Sequence, residues 1–274
     1  MPAFPVQQIT AWRRPQPVCQ TYNFRVHRIH RMYLLPIPAF ADNYPWLLHD
    51  GKRAVVVDPG DAGPVLHMLK EHTLLLESIL VTHHHADSVA DADILREATK
   101  ATPILQPCPS RQEGDSVNSL DLLFQRLNGP GHPAGHIAFD TPNAEGKPLL
   151  FRGDTLFSAG CGRLFKDTFA QMLASPDKVT ALPGTTLLCC PRKYAFSNIP
   201  FALALEANST DLDAYQARCV RLRGEDLPTV PSLIAQELLI NPFLPTRQAT
   251  LKPAAHRFDA SAHDDSTLSA AIRQ

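Results

Sequence analysis

The chain has 274 residues, 44% of them hydrophobic and 19% charged, with a formal net charge of −1. That balance excludes wholesale disorder and offers no basic footprint for nucleic acid or an anionic membrane. No uninterrupted apolar run reaches about eighteen residues, so no spanning helix is expected; the length suits one layered domain, alone or with a smaller companion.

Met1–Arg31 stands apart. It carries Arg13, Arg14, Arg25, Arg28 and Arg31 with His27 and His30, and it has no acidic residue. Two readings are open: an organelle-targeting leader, or an upstream start on a protein that begins at Met32. Pro2, Pro5, Pro15 and Pro17 break any amphipathic run, which favours the second.

From Met32 short apolar runs alternate with turns. Tyr33–Ile37, Pro45–His49 and Ala54–Val57 read as strands, the last closed by Asp58-Pro59-Gly60. Asp61–Lys70 has helical spacing, Ser78–Val81 is a buried strand running into Thr82-His83-His84-His85, and Asp91–Thr99 is the helix that follows. Leu120–Leu127, Leu149–Phe151 and Leu187–Cys190 read as further strands, and Phe169–Ala181 as a helix. Beyond Asn198 the texture turns helical, with Phe201–Leu205, Leu212–Arg223 and Ser232–Leu239 as candidates and a weakly patterned tail from Lys252. Polar residues massed after strand ends predict an α/β sandwich over residues 32–198 with its site on one edge, and a helical lobe over 199–274. The six cysteines include no C-x-x-C pair and fit reduced thiols in a cytoplasmic chain.

The chemistry gathers at three places. His83 and His85, two apart just after a strand, can face one side, and Asp87 adds a hard oxygen; neutral imidazoles and a carboxylate suit zinc. A solvated histidine loop is the alternative. His132 sits in the tight Gly131-His132-Pro133 turn, and Asp154 follows an apolar strand in Gly153-Asp154-Thr155. Each alone is weak, since an Asp after a strand is more often a turn or cap residue. Taken in order, they form a ligand set.

His83-x-His85-x-Asp87, His132 and Asp154 resemble the ligand series of the metallo-β-lactamase superfamily. The likeness to its glyoxalase II (hydroxyacylglutathione hydrolase) branch is closer, through Ile37–Tyr44, Val57–Ala62, Gly153–Phe165, Leu188–Cys190, Tyr194, Ser197-Asn198 and Asn241–Leu244. The resemblance implies an αββα sandwich and hydrolysis of S-(2-hydroxyacyl)glutathione to a 2-hydroxy acid and glutathione, as in methylglyoxal detoxification. It also implies a monomer acting on a small glutathione thioester, with no nucleic-acid or membrane partner.

In that family two metals share a bridging aspartate. One set maps completely, to His83, His85, His132 and Asp154. The other maps to Asp87, Asp154, Ser88 and Arg192, so a serine and an arginine stand where histidines are expected. Serine is a poor neutral ligand and arginine has no lone pair to give, so one zinc is expected and a second is weak or absent. His84 and His136 match non-ligand positions. Arg192 either fills the missing cation's space against Asp87 and Asp154 or points to solvent. Asp87 and Asp154 are the implied catalytic carboxylates, and Arg163, Phe165, Tyr194 and Arg273 the implied substrate contacts; the family's final lysine is missing. The resemblance therefore implies an impaired thioester hydrolase, or a non-catalytic or one-metal relative that binds a ligand or partner. Sulfur oxidation at a single metal is a weaker third reading.

Overall fold

The structure is a computed structural model that describes residues 27–29, 31–101, 104–105, 107, 112–128, 136–162, 178–244, 248–263, 267–268 and 271–272. Two six-stranded sheets face each other. The first runs in the order β1 (His27–Ile29), β2 (Met32–Pro36), β3 (Trp46–His49), β4 (Arg53–Val57), β5 (Leu75–Leu80), β6 (Ile104–Leu105). The second runs β14 (Ser232–Leu233), β13 (Leu187–Cys189), β10 (Lys147–Phe151), β9 (Ile137–Ala144), β8 (Leu122–Asn128), β7 (Ser116–Ser119).

Period-two alternation explains the layering. Val55, Val57, Leu149 and Phe151 point between the sheets, where they pack with Leu34, Trp46, Leu48, Phe124 and Phe139. Their neighbours Ala54 and Val56 point outward with Leu35 and Leu47, against Val65, Met68 and Leu69 of α1 (Ala62–Glu71) and Leu95 of α3 (Ala92–Thr99), the short α2 (Ala86–Val89) lying between the two in the chain. On the second sheet Ala138, Leu150 and Leu188 face outward onto Val179, Ile234 and Leu244. These strands therefore carry apolar residues on both faces, as strands buried between two layers must.

Several elements differ from expectation. Leu120 and Asp121 both have positive φ (55 and 59), so they are the two-residue hairpin turn between β7 and β8 and not the start of a strand. Ser232–Leu233 pairs antiparallel with Leu187–Leu188, and the helix begins only at Ile234, because the edge of the second sheet claims those residues first. β9 carries Asp140, Thr141, Pro142 and Asn143 in succession, which hid its strand character. β1 pairs with Met32–Leu34, so the first sheet draws on residues that precede Met32. Of the expected helix over 169–181, residues up to 177 lie outside the described set.

The helical lobe comprises α4 (Ala195–Leu205), α5 (Thr210–Gly224), α6 (Ile234–Ile240) and α7 (Gln248–Ala255). Glu237 fastens it to the sandwich. Its buried carboxylate accepts from Ser158 Oγ at 2.8 Å and the Ala159 amide at 2.9 Å, while Asn241 Nδ2 reaches the Phe157 and Gly160 carbonyls at 2.9 and 3.0 Å. Those partners belong to the turn between β11 (Leu156–Phe157) and β12 (Gly160–Cys161), immediately after Asp154. Among the described residues no helix is long and apolar enough to cross a membrane.

Candidate metal centre

Four chain segments converge on one edge of the sandwich. The 82–88 segment leaves the end of β5, Asp154 lies in a short 3₁₀ turn after β10, and Arg192 follows β13. The 42–44 loop completes the group. It pairs in β fashion with the segment after β13, through an Asn43–Arg192 bridge, the Tyr44 amide on the Pro191 carbonyl (2.8 Å) and the Lys193 amide on the Asp42 carbonyl (2.9 Å).

His83, His85 and Asp154 offer ligand atoms that all lie within 4.8 Å of one another. His83 is buried and its orientation is fixed from behind. Thr82 Oγ1 donates to Asp58 Oδ2 at 2.8 Å, so its lone pair is left for His83 Nδ1, also 2.8 Å away. Nδ1 then carries the proton and Nε2 keeps its lone pair, 3.9 Å from Asp154 Oδ2. A carboxylate–hydroxyl–imidazole relay of this kind sets the tautomer a metal-ligating histidine needs. Asp58 also accepts from the Thr82 amide at 2.7 Å, yet burial pushes its carboxyl up to about 7. Two imidazoles and a carboxylate, with His83 and Asp154 buried and His85 half-buried, are a donor set that fits zinc. His132, the expected third histidine, lies outside the described residues.

Two more histidines lie close by. His84 is exposed, and His136 is buried and stacked on His83 with ring centroids 4.9 Å apart. Backbone economy holds these groups close. A Cβ on Gly153, whose φ is +52°, would lie 2.2 Å from Thr82 Oγ1 and 2.6 Å from His136 Nε2; one on Gly60 would lie 2.0 Å from the Asp87 carbonyl oxygen. Gly153→Ala is therefore expected to lower stability by at least about 2 kcal/mol, from left-handed strain plus the clash, and to weaken zinc binding by displacing Thr82. Thermal melts and a zinc titration read both effects, and an unchanged variant would refute this account of the turn.

The place expected for a second metal is built differently. Ser88 is buried with its hydroxyl 3.5 Å from His83 Nε2. Arg192, only 8% exposed, lays its guanidinium across the site. Nε and Nη2 donate to the two oxygens of Asp154 at 2.9 and 2.5 Å, Nη2 also meets Asp87 Oδ2 at 2.6 Å, and Nη1 donates to Asn43 Oδ1 at 2.9 Å. Asn43 in turn donates to Asp87 Oδ2 at 3.3 Å, and the Tyr194 ring lies 5.8 Å from the guanidinium carbon. Of the two orientations open for Arg192, the buried one is found. Burial alone would lower its pKa, but the hydrogen bond and charge of Asp154 outweigh that and raise it. Burial likewise pulls the Asp87 carboxyl up, and the Arg192 charge with the Asn43 hydrogen bond brings it below the ordinary range. This part of the site does not fit a metal: its cation is already covalently present.

Asn43, Thr82 and Asp58 lie in stretches noted in the sequence but were assigned no part in the site. Asp58 read as a turn residue, and its positive φ of 54 is the only local trace of its task. Arg163, Phe165 and Arg273 lie outside the described residues; Tyr194 is half-buried at the start of α4, edge-on to Phe157 at 5.2 Å.

Residues 193–274 match the family described as hydroxyacylglutathione hydrolase C-terminus, and residues 42–107 the metallo-beta-lactamase superfamily. The chain is 50% identical over 250 residues to the hydroxyacylglutathione hydrolase of Albidiferax ferrireducens, covering 89% of this chain and 98% of that one. The chain belongs to the hydroxyacylglutathione hydrolase family. The enzyme of that name from Cupriavidus taiwanensis is 43% identical over 254 residues, with 87% and 96% covered. Among solved structures, ETHE1 from Myxococcus xanthus aligns with a TM-score of 0.56 at 22% identity, covering 91% of this chain and 96% of that one, a likeness of fold. The hydroxyacylglutathione hydrolase match thus spans both the sandwich and the lobe that Glu237 joins to it.

Proposed function

We propose that this chain is a zinc-dependent thioester hydrolase that converts S-(2-hydroxyacyl)glutathione and water to a 2-hydroxy acid and glutathione. The observation that carries the reading is the cluster of His83, His85 and Asp154, with ligand atoms within 4.8 Å of one another and His83 held from behind by Thr82. The names of relatives up to 50% identical support the substrate class. In the reaction the acyl carbon gains a bond to the water oxygen and loses its bond to sulfur, and one water proton ends on the leaving thiolate.

His83 and His85, with Asp154 and in this reading His132, would hold the zinc. When bound, zinc supplies Lewis acidity that activates water at neutral pH and polarises the thioester carbonyl. Asp87 is half-exposed at the rim and is held ionised by Arg192, so its part is to orient water as an acceptor. A carboxylate with a depressed pKa is a poor store for the proton. Tyr194, Arg163, Phe165 and Arg273 are the proposed contacts to the glutathione moiety. A monomer in the cytoplasm completes the reading; six cysteines without a C-x-x-C pair fit reduced thiols there.

The test is S-lactoylglutathione hydrolysis by zinc-loaded protein, followed by loss of the thioester absorbance, with a chelator arm and zinc re-addition. Turnover that stops with chelation and returns with zinc is expected. A folded, zinc-loaded protein without turnover would defeat the reading and leave the non-catalytic one, which draws its support from Arg192 occupying the second cation's place.

A further inference from the structure

We infer that Arg192 is a permanent substitute for a second metal ion, so that this chain binds one metal per molecule and supplies its second positive charge from the polypeptide. The inference rests on the reading of His83, His85 and Asp154 as a metal site, but not on the reaction catalysed there.

An ion bridging Asp87 and Asp154 would bind their oxygens at roughly 2.0–2.2 Å. Arg192 Nη2 already sits 2.6 Å from Asp87 Oδ2 and 2.5 Å from Asp154 Oδ2. The two occupants would overlap within a few tenths of an ångström, so one excludes the other. Donor chemistry says the same. Besides the carboxylates, the location offers the Ser88 hydroxyl and a guanidinium, and the guanidinium has no lone pair to give. Among the described residues, Asp87 is not part of the cluster of ligand atoms within 4.8 Å.

Arg192 is also held too firmly to swing out. Its backbone is bridged to Asn43, its three nitrogens are all engaged, and Asp42 Oδ1 lies 3.8 Å from Nη1. Removing it from Asp154 would leave a buried carboxylate unpaired, the costly half of a broken buried ion pair. A carboxylate has about four lone-pair sites, so Asp154 can accept the Arg192 fork and still face His83 with another. In charge, the Arg192 guanidinium sets one positive against Asp87 and Asp154, with Asp42 beside it, which is part of what a second cation would otherwise supply there.

The test is metal content per chain, by elemental analysis after loading with excess zinc and desalting, on the wild type and on the double variant Ser88→His with Arg192→His. One zinc per wild-type chain and two per double-variant chain are expected. Two per wild-type chain, none, or no gain in a folded double variant would each overturn the inference. Should the double variant fail to fold, cobalt titration of the wild type decides. Saturation at one equivalent with no spin coupling supports a single ion, and a coupled pair refutes it. One zinc without thioester turnover would remove the hydrolase reading and leave this inference standing; two zincs with turnover would do the reverse.

Discussion

Arg192→Met is expected to destabilise the metal-free protein by about 3 kcal/mol at neutral pH, the lower end for breaking a buried ion pair, because Asp87 is partly exposed. At roughly 2 °C per kcal/mol for a domain of this size, the melting temperature should fall by about 6 °C. The pH dependence carries the sign. Arg192 holds the Asp87 carboxyl below its unfolded value, so this contribution is present above the ordinary Asp range and is lost as pH falls through the lowered folded value. The gap between wild type and variant should therefore be widest near neutrality and close in acid. Denaturant melts across that range check it, and equal stability at neutral pH would mean that the guanidinium does not hold the two carboxylates.

The second large effect belongs to His83→Ala. It removes the only imidazole in the cluster whose tautomer is set by the Thr82–Asp58 relay, and it leaves Thr82 Oγ1 facing a void. Zinc content should fall to a small fraction of one per chain. Thioester turnover should fall by about a thousandfold or more, since several kcal/mol of Lewis-acid stabilisation is lost at about 1.4 kcal/mol per factor of ten. The paired measurement is zinc content and kcat on one sample. Full zinc with lost turnover would move His83 from ligand to some other role. The contrast with Arg192→Met is the point: one change strikes metal retention, the other the charge balance beside it.

Much of this architecture could be read from residues alone, because it rests on local rules. Val55 and Val57 against Ala54 and Val56 announce a strand covered on both sides, and His83 and His85, just after Val81-Thr82, place chemistry at a strand end. What escaped was tertiary. β9 is recognised by its register against β8 and β10, and its polar outer half gives no alternation to detect. Asn43 and Arg192 lie 149 positions apart, and only the pairing of the 42–44 loop with the segment after β13 brings them together. The substitutions at 88 and 192 were visible. That the arginine turns inward depends on Asp154, Asp87 and Asn43 all being in reach, which no spacing rule reports.

The Glu237 clamp bears on how this molecule comes apart. Four buried hydrogen bonds from Glu237 and Asn241 end on residues 157–160, three to six positions beyond Asp154. Peeling the helical lobe away would break all four at once, on the turn that follows Asp154. The lobe is thus no detachable accessory. These four bonds tie its loosening to that of the candidate site's edge, so damage deep in α6 should be felt at Asp154.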